Sequence, residues 1–150
     1  EKAALARANG CDHVILYRSQ NVPSRVNEIT SGQKVDVVYD SVGKDTFHDS
    51  LTCLRPRGLM VSFGQSSGAV PPFEPRLLAA NGSLFFTRPT LHDYVRKPGE
   101  LQARARDLFG AITSGTLKVR IAQTYRLRGA ATAHQDLEAR QTTGSTLLVP

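Results

Sequence analysis

Two short stretches bring together residues able to bind a ligand. VDVVYD at 35–40 runs into Ser41-Val42-Gly43, and GLMVSFG at 58–64 runs into Gln65-Ser66-Ser67-Gly68. Each is a mostly apolar run that stops in small polar residues and glycine. In an open parallel sheet, ligands bind beyond the carboxyl ends of the strands. Small side chains there let a ligand approach the backbone, and the Ser41 hydroxyl can hydrogen-bond it. Ordinary strand-to-helix turns favour Gly, Ser and Asp anyway, so the pattern alone leaves both readings open.

Other site chemistry finds no support. The two cysteines, Cys11 and Cys53, form no C-x-x-C pair and read as small hydrophobes. His13, His48, His92 and His134 show no ligand spacing, so no metal site is expected. No Ser/His/Asp triad or carboxylate pair stands out. Asp45 and Asp49 have the spacing of one helix face.

The elements around the two turns alternate. KAALARAN at 2–9 reads as a helix stopped by Gly10, and HVILY at 13–17 as a short buried strand. Val22, Val26 and Ile29 share one helix face, and Gly32 ends that helix. The strand at 35–40 follows, then a helix over 45–54 with Asp45 as N-cap, then the strand at 58–64. A Pro-rich loop leads to SLFFT at 83–87, a further strand. A long helix over 100–114 is expected to bury Leu101, Ala105, Leu108, Phe109 and Ile112. VRIAQTYRL reads as a strand, AATAHQDLEAR as a helix and STLLVP as a last strand. This βαβ alternation implies an α/β fold, a parallel sheet with helices on both faces.

The 150 residues suffice for one domain with a sizeable core. Hydrophobic content is 40% and charged content 21%, a globular balance. No apolar run nears the roughly 18 residues that a spanning helix needs, so no membrane partner is expected and a cytoplasmic location is the default. The net charge of +6 is dispersed, and Arg55 with Arg57 is its densest group. Without a basic stripe interleaved with aromatics, nucleic acid is not an expected partner.

VDVVYDSVGKDTF, RPRGLMVSFGQSSGAV and GSLFFTRPTL, in this order and spacing, closely resemble the NADPH-dependent quinone oxidoreductases. These are the zinc-free, zeta-crystallin-like branch of the medium-chain dehydrogenase/reductase superfamily. The resemblance covers nearly the whole chain and includes GSTLLVP at its end. Members are about twice this length, and no G-x-G-x-x-G is present, so the chain reads as a C-terminal fragment of the family pattern. The implied fold is a Rossmann-like domain over 1–116 lacking its first two strands and Gly-rich turn. Residues 117–150 would be a strand-helix-strand return to the catalytic domain.

The resemblance also implies site roles. Lys2 matches a lysine that pairs with the 2′-phosphate of NADPH, a task for a flexible point charge. Tyr17, beside Arg18, matches a tyrosine near the adenosine phosphate. Ser41 and Gly43 match the strand end near the adenosine. Phe63, Gly64 and Ser66 match the loop bordering the nicotinamide. Arg140 matches an arginine near the bridging phosphates or the nicotinamide end. Each also has a plainer reading: a solvated helix lysine, a rim or core aromatic, an arginine complementing a helix dipole. No catalytic residue is nominated. The implied activity is hydride transfer from NADPH to a quinone or α,β-unsaturated carbonyl compound. The alternatives are a non-catalytic nucleotide-binding or assembly remnant and an RNA-binding protein. A homodimer through 83–87 is expected, because an apolar edge strand recruits another strand.

Overall fold

A computed structural model describes all residues, 1–150, and they fall into two units. One comprises Glu1 and Ala3–Asp93, the other Lys2 and Tyr94–Pro150.

The first unit carries α1 (Lys2–Ala8, without Lys2 itself), α2 (Val22–Ile29), β1 (Val35–Asp40), α3 (Phe47–Cys53), β2 (Leu54–Ser62), α4 (Arg76–Ala80) and β3 (Phe85–Thr87). The three strands form one parallel sheet in the order β1-β2-β3. Val38, Met60 and Phe86 lie side by side in the register, so they share a face. That face meets Phe47 and Leu51 of α3, one helical turn apart, and with Leu54 and Leu84 they make the core. Full burial of side chains such as Phe47, Leu51, Leu54 and Met60 contributes about 1.5–3 kcal/mol each. Phe73 and Phe86 stack around Phe47, with ring centroids 5.0 and 6.1 Å from it. The opposite face carries Val37, Tyr39 and Phe85, which are exposed.

Three local expectations need correction. HVILY is not a strand: residues 13–16 pair with no other strand, a turn begins at Tyr17 where Leu16 O accepts from Ser19 N and Gln20 N, and Leu16 and Tyr17 are exposed. A strand exists only through a neighbour's hydrogen bonds, and no neighbouring strand pairs with this segment. Asp45 does not cap α3. Thr46 occupies the N-cap position, with its hydroxyl turned to Asp40. Strand β2 begins at Leu54 rather than Gly58, and a shift of register between Val35 and Val37 absorbs the extra residues around Pro56. The short α4 within the Pro-rich loop had no periodic signal long enough to reveal it.

The second unit carries α6 (Pro98–Thr113), β4 (Ile121–Arg126), α7 (Ala130–Glu138) and β5 (Ser145–Val149); the short α5 (Leu91–Tyr94) ends on Tyr94, the first residue of this unit's continuous run. Strands β4 and β5 pair in parallel, with α7 as part of the crossover. The Tyr125 hydroxyl donates to the Asp136 carboxylate at 2.6 Å, tying β4 to α7. The Glu100 carboxylate accepts from Lys97 N at the start of α6. The apolar face expected to be buried on α6 is largely open: Leu101, Leu108 and Phe109 are exposed, and only Ala105 and Ile112 are half-buried. Amphipathic spacing shows which face seeks cover but not whether this chain supplies it. No helix is long and apolar enough to cross a membrane.

Candidate functional site

The turn after β1 is organised by Asp40. Its carboxylate is buried among four donors. Val42 N and Gly43 N donate to Oδ1 at 2.7 and 2.9 Å, and the Thr46 and Ser50 hydroxyls donate to Oδ2 at 2.7 Å each. Burial alone would push this carboxyl up. The hydrogen bonds from Thr46, Gly43, Ser50 and Val42 outweigh it and hold Asp40 below the usual aspartate value. Gly43 sits at φ +90°, a conformation that favours glycine.

The turn after β2 is fastened to the first. Asp40 O accepts from Phe63 N at 2.9 Å, Val42 O from Ser67 N at 2.9 Å, and Ser41 O from Ser66 N at 3.3 Å. Lys44 N donates to Gly68 O at 3.1 Å, and the Ser67 hydroxyl both donates to Val42 O and accepts from Asp45 N. A Cβ on Gly43 would lie 2.6 Å from Gly68 O. The small residues therefore first serve the packing of one turn on the other. The groups this packing leaves outward are the Ser41, Phe63 and Ser66 side chains, all exposed.

A cleft of about 420 Å³ opens at the carboxyl ends of β2 and β3, bordered by Ser62, Gly64, Gln65 and the apolar stretch Val70–Phe73. Phe86 and Arg88 close its other side. Arg88 Nη1 donates to Ser62 O at 2.9 Å.

The sequence-derived candidates are distributed as follows. Ser41, Gly43, Phe63, Gly64 and Ser66 come together in the joined turns. Tyr17 is exposed in the turn that ends the unpaired segment 13–16. Lys2, which groups with the second unit, donates from Nζ to Arg140 O at 2.9 Å. Arg140 follows α7 at φ +60°, where a non-glycine residue is uncommon. Asp40 and Arg88 were missed. Asp40 belongs to the polar strand end in the sequence reading but has no role of its own there, although an Asp before Ser-x-Gly is a known turn former. Nothing local marks Arg88, because strand register brings it beside Ser62. No cluster of three or more His, Cys, Asp or Glu side chains is placed to hold a metal ion. Burial pushes the Cys53 thiol up, and Asp49 adds to the rise, so it behaves as a packing group rather than a nucleophile.

Comparison with known proteins agrees with this anatomy. A family model described as zinc-binding dehydrogenase matches residues 9–148. Quinone oxidoreductase of Pseudomonas aeruginosa is 52% identical over 150 residues, the whole of this chain and 46% of that protein. The 2-haloacrylate reductase of a Burkholderia species is 46% identical over 151 residues, again the whole chain and 45% of that protein. The crystal structure of Escherichia coli quinone oxidoreductase complexed with NADPH superposes with a TM-score of 0.95 at 50% identity, covering 99% of this chain and 46% of that one. The chain thus spans about half the length of the curated relatives it matches. Its parallel strands, its joined strand-end turns and these similarities agree: the chain belongs to the zinc-binding dehydrogenase family of the medium-chain dehydrogenase/reductases, among homologues of quinone oxidoreductases.

Proposed function

We propose that this chain is the cofactor-binding part of an NADPH-dependent quinone oxidoreductase. The observation that carries the reading is the pair of joined turns at the carboxyl ends of β1 and β2, the edge where an open parallel sheet binds its ligand. The NADPH complex of the E. coli relative, at 50% identity, supports the same cofactor. When bound, NADPH supplies hydride for a quinone or an α,β-unsaturated carbonyl compound.

The chain's own residues bind and orient. Ser41, beside Gly43, offers a hydroxyl to the adenosine side. Phe63, Gly64 and Ser66 border the nicotinamide side, where the Phe63 ring excludes water. Lys2 and Tyr17 recognise the 2′-phosphate end, and Arg140 pairs with phosphate or the nicotinamide end. Asp40 touches no ligand and holds the first turn in shape. Residues 1–116 form the nucleotide-binding part and 117–150 return to the catalytic domain. The protein is cytoplasmic, works without zinc as the resemblance implies, and dimerises through 83–87.

The test is NADPH oxidation by the full-length protein, followed at 340 nm with 1,4-benzoquinone as acceptor. Quinone-dependent oxidation that prefers NADPH to NADH is expected. Tight NADPH binding without turnover of any quinone or enone would overturn the reading. The isolated 150 residues are expected not to turn over.

A further inference from the structure

The cleft at the ends of β2 and β3 has one charged group. Pro71, Pro72, Phe73 and Phe86 give it apolar walls, and Arg88 is the cation on its border. Arg88 follows β3 directly and lies two residues beyond Phe86, on the same face of the strand. One of its five N–H donors is fixed on Ser62 O at 2.9 Å. No carboxylate pairs with it, and none lines the cleft. A planar donor fork anchored at one corner, with its positive charge unmatched, suits a carboxylate that can accept two parallel hydrogen bonds. The flat apolar walls suit an sp² carbon skeleton.

We infer that Arg88 is the anion-binding residue of this cleft, and that the acceptor it selects is a small planar unsaturated carboxylic acid. The carboxylate lies on the guanidinium, and the carbon skeleton rests against Phe73, Phe86 and the prolines. The inference rests on the reductase reading above and narrows its substrate class. Reduction of such an acid places hydride on the β-carbon and a proton from water on the α-carbon, while NADPH becomes NADP⁺.

The experiment compares full-length wild type, Arg88→Gln and Arg88→Lys. Benzoate and its neutral counterpart benzamide are titrated calorimetrically without cofactor. NADPH oxidation is then measured with 2-chloroacrylate and with 1,4-benzoquinone. Arg88→Gln is expected to weaken benzoate at least tenfold and leave benzamide unchanged. It should raise KM for 2-chloroacrylate at least tenfold, and by a larger factor than KM for the quinone. Arg88→Lys, which keeps a donor for Ser62 O, should fall between. The inference is overturned if wild type does not bind benzoate, if Arg88→Gln binds it as tightly, or if KM for NADPH is what moves. Should Arg88→Gln not fold, an unchanged benzoate affinity in Arg88→Lys is likewise fatal. Absence of all turnover would sink the reductase reading, while the benzoate titration would still decide the role of Arg88.

Discussion

Gly64 lies directly on the backbone of Ser41: a Cβ added there would come within 2.7 Å of Ser41 Cα and closer still to Ser41 O. Two strand-end turns thus touch main chain to main chain, and glycine at 64 is a condition of that contact. Replacement of Gly64 by Ala must push the turns apart, because neither backbone can yield like a flexible side chain. Overpacking of this kind costs about 1–3 kcal/mol. The expected result is a lower thermal midpoint together with weaker NADPH binding. Gly110→Ala on α6 is the control, since its Cβ would meet nothing within 4 Å. It should stabilise by up to about 1 kcal/mol through helix propensity. Equal midpoints for the two variants would contradict the argument.

Asp40 predicts a pH signature. Its folded pKa lies below the ordinary 3.8, so the folded state prefers the charged form. The stability it contributes is complete above the unfolded value. It is lost as pH falls below about 4 toward the lower folded value. Asp40→Asn keeps the shape but places an NH2 against groups that donate, and should cost about 1–3 kcal/mol at neutral pH. The gap between wild type and variant should narrow as pH falls from 7 to 3. A gap that stays constant in urea unfolding across that range would show that the charge of Asp40 contributes nothing.

The nominated phosphate lysine gives a third prediction. Lys2 is exposed, and its ammonium donates to a single carbonyl, Arg140 O. It has donors left for a phosphate. In the full-length protein, Lys2→Ala should lower NADPH affinity by about tenfold, on the order of 1–2 kcal/mol for a charge-assisted contact. Affinity for NADH should barely move. Parallel losses for both cofactors would assign Lys2 a structural task instead.

What could be read from the sequence depended on how local the physics was. The turns after β1 and β2 were legible because Ser, Gly and Asp write turn chemistry into a few adjacent residues. The seven-residue α1 and the eight-residue α2 were legible for the same reason, through apolar spacing and terminal Gly. HVILY was misread because its apolar, β-prone composition says nothing of a neighbour. The face of α6 was misread because Leu101, Leu108 and Phe109 show amphipathicity, whereas cover is a property of what packs there. Arg88 stayed invisible because its place beside Ser62 comes from pairing β2 with β3 in a register that no single segment encodes.

The last prediction concerns the edge of the sheet. β3 is the outermost strand on its side, as SLFFT suggested, and its regular part is Phe85–Thr87. Leu84 is buried and Phe86 half-buried against the core, while Phe85 is 63% exposed on the opposite face. The edge therefore offers unpaired backbone groups beside an apolar ring, and the charge and proline with which natural edges block pairing enter only beyond the strand, at Arg88 and Pro89. An antiparallel strand from a second copy would satisfy those groups and cover Phe85 about a two-fold axis. Phe85→Lys leaves the core residues Leu84 and Phe86 in place and sets a charge on that edge. Size measurements on the full-length protein should then show a dimer for wild type and a shift to monomer for Phe85→Lys, with the thermal midpoint of the monomer only slightly lower. A variant that remains dimeric at micromolar concentration would place the interface elsewhere.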